Sequence, residues 1–387
     1  MTVTAPQGFR ASGVAAGLKS TGAQDVALVV SDGPDDAAAA VFTTNRFPAA
    51  PVQWSRQVLS GGRLKAVVLN SGGANACTGP EGFQDTHATA EHVAGELGIG
   101  AIDVAVASTG LIGVRLPMDK LLAGVTAAAK ELSAAGGPDA ARAIMTTDSV
   151  PKTTVQTGGG EDGAWTIGGM AKGAGMLAPS LATMLVVLTT DAVVPADVLQ
   201  PALEAATGVS FERVDSDGCL STNDTVIVMA NGASGVTPTV EEFTTALTAA
   251  ATDLAMQLLA DAEGSTKDIA ITVRNAASVT DALTAGRACA RNNLLKTALF
   301  GNDPNWGRVL AAIGTTDAAF EADQVDVTIN GVTICRGGSI GDPREGVDLT
   351  GREITIDVDL NAGTEQATIW TNDLSIAYVH ENSAYST

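Results

Sequence analysis

The chain has 387 residues, 45% of them hydrophobic and 17% charged, which is too apolar and too weakly charged for a disordered polymer. Acidic residues outnumber basic ones by 43 to 22, a formal charge of −21 at pH 7, and that excludes a nucleic-acid partner, because phosphate binding needs a basic footprint. The length exceeds the size at which one core stops growing, so two lobes or one large layered domain is expected, built from small side chains.

In chain order, Val26–Ser31, Ala40–Thr44 and Lys65–Asn70 read as strands, being β-branched and bounded by Gly, Asp or Pro. Asp85–Leu97 carries helical spacing, and Asp103–Ser108 reads as a buried strand. Pro117–Ala134 and Pro138–Met145 follow as helices opened by a proline. Thr157–Gly163 is glycine-rich and reads as a link, ahead of a short β-type run at Trp165–Ile167. In the second half, Thr183–Thr189, Thr225–Met229 and Asp268–Val273 are strand-like, while Pro195–Ala206, Val240–Ala260, Ser278–Leu295 and Asp303–Ile313 are helical. Gln324–Ile334, Glu353–Asp359 and Gln366–Trp370 look like hairpin strands. Strands and helices mixed in both halves predict an α/β protein with helices layered on sheet and some antiparallel pairing.

No apolar run reaches the ~18–20 residues of a membrane span, and the first residues lack a basic segment followed by an apolar one. Cys77, Cys219, Cys289 and Cys335 lie far apart without a CxxC pair, so they read as reduced, mostly buried thiols of a cytoplasmic protein. His87 and His92 stand five residues apart, off the spacing of a metal pair, and no HExxH occurs, so no metal is expected.

The most informative stretch is Gly168–Met184, followed directly by the apolar run LVVLTTDA. Two readings compete. Gly173, Gly175 and Ala178 satisfy the dinucleotide fingerprint in letters, but Pro179 interrupts the helix that fingerprint must open. Alternatively, the stretch delivers Thr183 to the head of a buried strand. A threonine hydroxyl is a poor nucleophile without a base. Its own α-amine, with an unperturbed pKa of ~7.7–8.0, would serve if the chain were cut just before it. By pattern alone, a threonine that merely starts a strand is the simpler reading.

The segment KGAGMLAPSLATMLVVLTTDA (Lys172–Ala192) resembles the signature of the ornithine acetyltransferase family, the bifunctional glutamate N-acetyltransferase/amino-acid acetyltransferase of arginine biosynthesis. NSGGANACTG (Asn70–Gly79), STGLIG (Ser108–Gly113), IMTTDSVPK (Ile144–Lys152), DGCLSTND (Asp217–Asp224), DAEGSTK (Asp261–Lys267), GNDPNWGRV (Gly301–Val309) and ENSAYST (Glu381–Thr387) extend the resemblance over essentially the whole chain.

The resemblance implies a layered helix–sheet sandwich of the self-cleaving N-terminal-nucleophile type, with a second, smaller α/β lobe. It implies cleavage between Ala182 and Thr183, giving an α chain of residues 1–182 and a β chain of residues 183–387, assembled as two α and two β chains. Thr183 then takes the acetyl group from N-acetylornithine and passes it to glutamate in a ping-pong scheme. No cofactor is implied, and acetyl-CoA is an alternative acetyl donor in bifunctional members. Thr109 and Gly110 are the implied oxyanion donors. Substrate contacts fall to Thr146, with Thr147 adjacent, and to Lys172, Thr183, Glu263, Asn382 and Thr387. Lys172 is expected in a glycine-flanked loop and Glu263 at the end of a long helix. Asn382 and Thr387 require the C-terminal tail to dock at the site, with Ile376, Tyr378 and Tyr385 as apolar anchors. A self-processing hydrolase of the same architecture is the enzymatic alternative, and a nucleotide-binding module on Gly173–Ala178 the non-enzymatic one.

Overall fold

The computed structural model describes residues 2–160, 163–178 and 184–384. Its β-branched runs sort into sheets of four, five and six strands among the described residues. The first sheet carries Phe9–Val14, Val26–Ser31, Ala66–Ser71 and Val104–Thr109 in that order, antiparallel except for the last pair. The central sheet runs Ala37–Phe42, Thr225–Ala230, Leu185–Thr190, Gly163–Lys172, Lys152–Gly160, with only Thr225–Ala230 and Leu185–Thr190 parallel.

Alternation along the central strands divides their side chains between two cores. Leu185, Val187, Ile227 and Met229 share one core with Leu28, Val67 and Leu69 of the first sheet. Val186, Leu188, Val226 and Val228 pack instead with Leu199 and Leu203 of the helix Ala196–Val209 and with Leu247, Leu254 and Leu258 of the helix Val240–Ala260. Helices Gly79–Leu97 and Met118–Lys130 add Ala90, Val93, Leu121 and Val125 to the first core. The layers are therefore helix, sheet, sheet, helix, and strands buried on both faces need the continuous apolar runs the sequence supplies.

The six-stranded sheet, with Glu353–Asp359, Asp268–Ala276 and Glu365–Asn372 at one side, builds its own core with helices Val279–Ala290, Asn293–Phe300 and Trp306–Ile313. This is the expected smaller α/β lobe. It is tied to the sandwich where Asp215 N–H donates to the Trp370 carbonyl at 2.8 Å. The expected cut at residues 182/183 divides the chain and not this fold. Gly163–Lys172 before it pairs with Leu185–Thr190 after it in one sheet.

Three expectations are corrected. Thr157–Gly163 is not a link: Lys152–Gly160 pairs antiparallel with Gly163–Lys172, and Gly158 faces Trp165, whose indole fills the space a Cβ at Gly158 would need. The helix expected over Ser278–Leu295 stops at Ala290, and Asn292 caps a new one by accepting the Leu295 N–H at 2.9 Å. Cys77 and Cys219 are exposed, and only Cys289 and Cys335 are buried. Strand Phe9–Val14 and helices Ala50–Val58 and Ile376–Ala384 had no counterpart in the sequence reading.

Candidate active site

Several chain segments meet at one cavity of about 430 Å³. The strand Val104–Thr109 ends at its rim, and Gly110 turns the chain with φ +131°. A Cβ at Gly110 would stand 2.5 Å from the Gly73 nitrogen, so only glycine lets these two backbones approach. Asn223 fixes the same strand end by donating to the carbonyls of Ser108 (2.8 Å) and Ala74 (2.6 Å).

Lys172 is the last residue of the strand Gly163–Lys172 and is 2% exposed. The expectation of a glycine-flanked loop is corrected, because Lys172 pairs with Leu185 in the sheet and only Gly173 onward leaves it. Its ammonium donates to Thr109 Oγ1 at 3.3 Å and lies 3.9 Å from the Asp148 carboxylate. Burial pulls the Lys172 pKa down and Asp148 opposes that shift.

Asp148 organises this corner. It accepts from Lys152 Nζ (2.6 Å), Gly173 N–H (2.7 Å) and Thr146 N–H (2.9 Å). Burial alone would raise its pKa, but the ammonium groups of Lys172 and Lys152 more than offset that and hold it down at about 2. Lys152 also meets Asp261 at 2.5 Å.

Glu263 follows the helix Val240–Ala260 as expected, with its N–H donating to the Ala174 carbonyl at 2.9 Å. Its Oε1 accepts the Thr147 hydroxyl at 2.6 Å. The tail helix Ile376–Ala384 brings Asn382 to the cavity wall. It docks through Ser375, whose hydroxyl donates to Gly264 O and accepts the Tyr378 N–H at 2.9 Å. The apolar-anchor expectation is corrected in part. Ile376 is 77% exposed, so hydrogen bonds at Ser375 and the half-buried Tyr378 hold the tail.

Thr109, Gly110, Thr146, Thr147, Lys172, Glu263 and Asn382 therefore line one cavity. Ala182, Thr183, Tyr385 and Thr387 lie outside the described residues. The neighbour Met184 donates its N–H to the fully buried Asp224 at 3.1 Å, and burial pushes the Asp224 carboxyl well above its ordinary pKa. The sequence reading missed Lys19, Ser20, Thr21, Leu111 and Ile112 of the cavity wall. It missed Asp148 and Asp261 as partners too, although both stand inside motifs it quoted. Gly173–Ala178 follow the end of a strand but form no helix, so among the described residues the helix N-terminus that would hold a pyrophosphate is missing.

A family model described as the ArgJ family matches residues 10–387. The chain belongs to the ArgJ family. It is 65% identical over 386 residues to the arginine biosynthesis bifunctional protein ArgJ of Streptomyces avermitilis and 62% identical over 387 residues to that of Thermobifida fusca, covering 100% of both partners each time. Among solved structures, it is similar to the ornithine acetyltransferase complexed with ornithine from Mycobacterium tuberculosis, at 65% identity and a TM-score of 0.45, covering 47% of this chain and 96% of that one. The family match and the full-length relatives make the chain an acyltransferase of arginine biosynthesis. No helix among its described residues is long and apolar enough to cross a membrane.

Proposed function

We propose that the cavity moves an acetyl group from N2-acetylornithine to glutamate, through an ester on Thr183 that forms after the chain is cut between Ala182 and Thr183. The new α-amine of Thr183 takes the hydroxyl proton as Oγ attacks the acetyl carbonyl. The oxyanion is held by the Thr109 hydroxyl and the Gly110 N–H. The C–N bond breaks, the ornithine nitrogen takes the proton, and the acetyl ester remains. The neutral α-amine of glutamate then attacks the ester, its C–O bond breaks, and the Thr183 oxygen recovers a proton. Acetyl-CoA is a second donor to the same hydroxyl. The working form is two α and two β chains in the cytoplasm.

The observation that carries this reading is the hydrogen bond from Lys172 Nζ to Thr109 Oγ1. A hydroxyl that accepts from a lysine keeps its own O–H to donate, as an oxyanion site requires. The same ammonium is the cation an α-carboxylate needs, and Thr146, Thr147, Glu263 and Asn382 surround it in one cavity. Thr387 belongs to the same substrate-contact set.

The test is acetyl transfer from N-acetylornithine to glutamate by the purified protein. Release of free acetate alone would make the protein a hydrolase. Thr109→Ala is expected to lower kcat by roughly 10²–10³, the usual loss for one oxyanion donor, with Thr109→Ser close to wild type. A change confined to KM would remove Thr109 from that role. Lys172→Ala is expected to raise KM for both substrates by about tenfold or more, since both lose a charge-assisted bond. Unchanged KM values in steady-state kinetics would take Lys172 out of the site.

A further inference from the structure

We propose that Lys19 selects the acceptor: its ammonium receives the side-chain carboxylate of glutamate, while the oppositely charged side chain of ornithine is met by Glu263. The inference rests on the acetyl-transfer reading above. The two amino acids that occupy the cavity in turn share an α-carboxylate and an α-nitrogen but end in opposite charges. One cavity must therefore present an ion of each sign in addition to the cation that serves the shared carboxylate. Among the described residues of its wall, the charged ones are Lys19, Lys172 and Glu263. Lys172, buried against Thr109 at the transfer end, serves the α-carboxylate. Glu263 matches an ammonium. Lys19 is the cation left for the second carboxylate.

The loop that carries Lys19 is built to hold it. Asp25 is fully buried, and its carboxylate accepts the N–H groups of Ala16 (2.6 Å), Leu18 (2.6 Å) and Lys19 (3.0 Å). Ser71 N–H donates to the Asp25 carbonyl at 2.9 Å, which fastens this loop to the first sheet beside the Gly72 wall of the cavity. The Lys19 ammonium donates to the Gln24 carbonyl at 2.7 Å, which uses one of its three N–H donors and fixes the stem. Burial lowers the Lys19 pKa, Asp25 opposes this, and the charge of Lys172 reaches it as well. A lysine without a task keeps its head in water on a mobile stem. This one is half-buried and tethered on the cavity wall.

The ping-pong scheme separates the two amino acids experimentally. Exchange of labelled ornithine into N-acetylornithine needs no glutamate, whereas acetylation of glutamate needs both. Lys19→Met and Lys19→Gln are expected to raise the glutamate KM by about tenfold or more and to lower the kcat/KM preference for glutamate over glutamine by the same factor. Ornithine exchange should change by less than about threefold, and Lys19→Arg should restore the preference. Equal loss in both assays would assign Lys19 a structural role and overturn the proposal, as would an unchanged preference for glutamate over glutamine. Wild-type protein that exchanges ornithine but never acetylates glutamate would overturn the transfer reading itself.

Discussion

A Thr183→Ala chain is expected to run as one full-length polypeptide and to transfer acetyl groups at least ~10⁴-fold more slowly than wild type, the scale on which losing a nucleophile acts. One hydroxyl serves both events in the proposed scheme. It attacks the preceding carbonyl to move the Ala182 acyl group from nitrogen to oxygen, and after cleavage it attacks the acetyl carbonyl. Removing it blocks processing and turnover together. Thr183→Ser keeps the hydroxyl and should still be cut and active, which separates loss of chemistry from loss of fold. Intact mass and N-terminal sequencing check this directly, with residues 1–182 and 183–387 expected from wild type. A Thr183→Ala chain found cut at the same bond would remove Thr183 from the processing step. Uncut wild-type protein that turned over at full rate would remove the α-amine from the mechanism.

The described chain resumes at Met184, two residues after Ala182. Met184 is held from both sides, its N–H on Asp224 and its carbonyl accepting from Thr225 N–H at 3.1 Å. The Lys172–Leu185 register sets the lysine beside the start of the same strand. In the proposed scheme the nucleophile is the residue before Met184, and the cut supplies its base. That α-amine is the base that a hydroxyl nucleophile otherwise takes from a histidine.

Much of the scaffold was legible because the relevant signals are local. The strands Val26–Ser31 and Glu353–Asp359 and the helix Val240–Ala260 fall at the bounds their patterns give. The helix is fixed by the Thr239–Glu242 capping box in front of a 3.6-period apolar face. Illegible elements owe their form to distant partners. Glycines 158–160 read as a linker until Trp165 is placed across from them. At the site, family resemblance supplied residue identities, but the buried state of Lys172 was hidden. Its partner Asp148 lies 24 positions earlier in a motif that looks like a turn, and the pairing exists only once two strands are formed. Lys19 left no trace at all, because its loop has no periodicity and its anchor is a single carboxylate, Asp25.

Asp148→Asn is expected to destabilise the protein by about 3–5 kcal/mol, the usual cost of removing one partner of a buried ion pair, and to raise KM for both substrates. The carboxylate is the counter-charge shared by Lys152 and Lys172, both nearly free of solvent. An amide keeps acceptor geometry for Thr146 and Gly173 on one oxygen at most and leaves Lys152 with Asp261 as its carboxylate partner. Lys152 retains that partner; Lys172 does not, so its charged form becomes harder to keep and its grip on an α-carboxylate weakens. The acid limb provides a second readout. The folded pKa of Asp148, about 2, lies below its ordinary value, so its ionisation contributes stability that is complete above about pH 4 and lost as pH falls through about 2, worth about 2 kcal/mol at neutral pH. Thermal melts of wild type and variant should therefore lie several degrees apart at pH 7 and converge in part below pH 4. A gap that stays constant across that range would mean that Asp148 acts through its shape and hydrogen bonds alone, and the charge network would then have no part in holding Lys172.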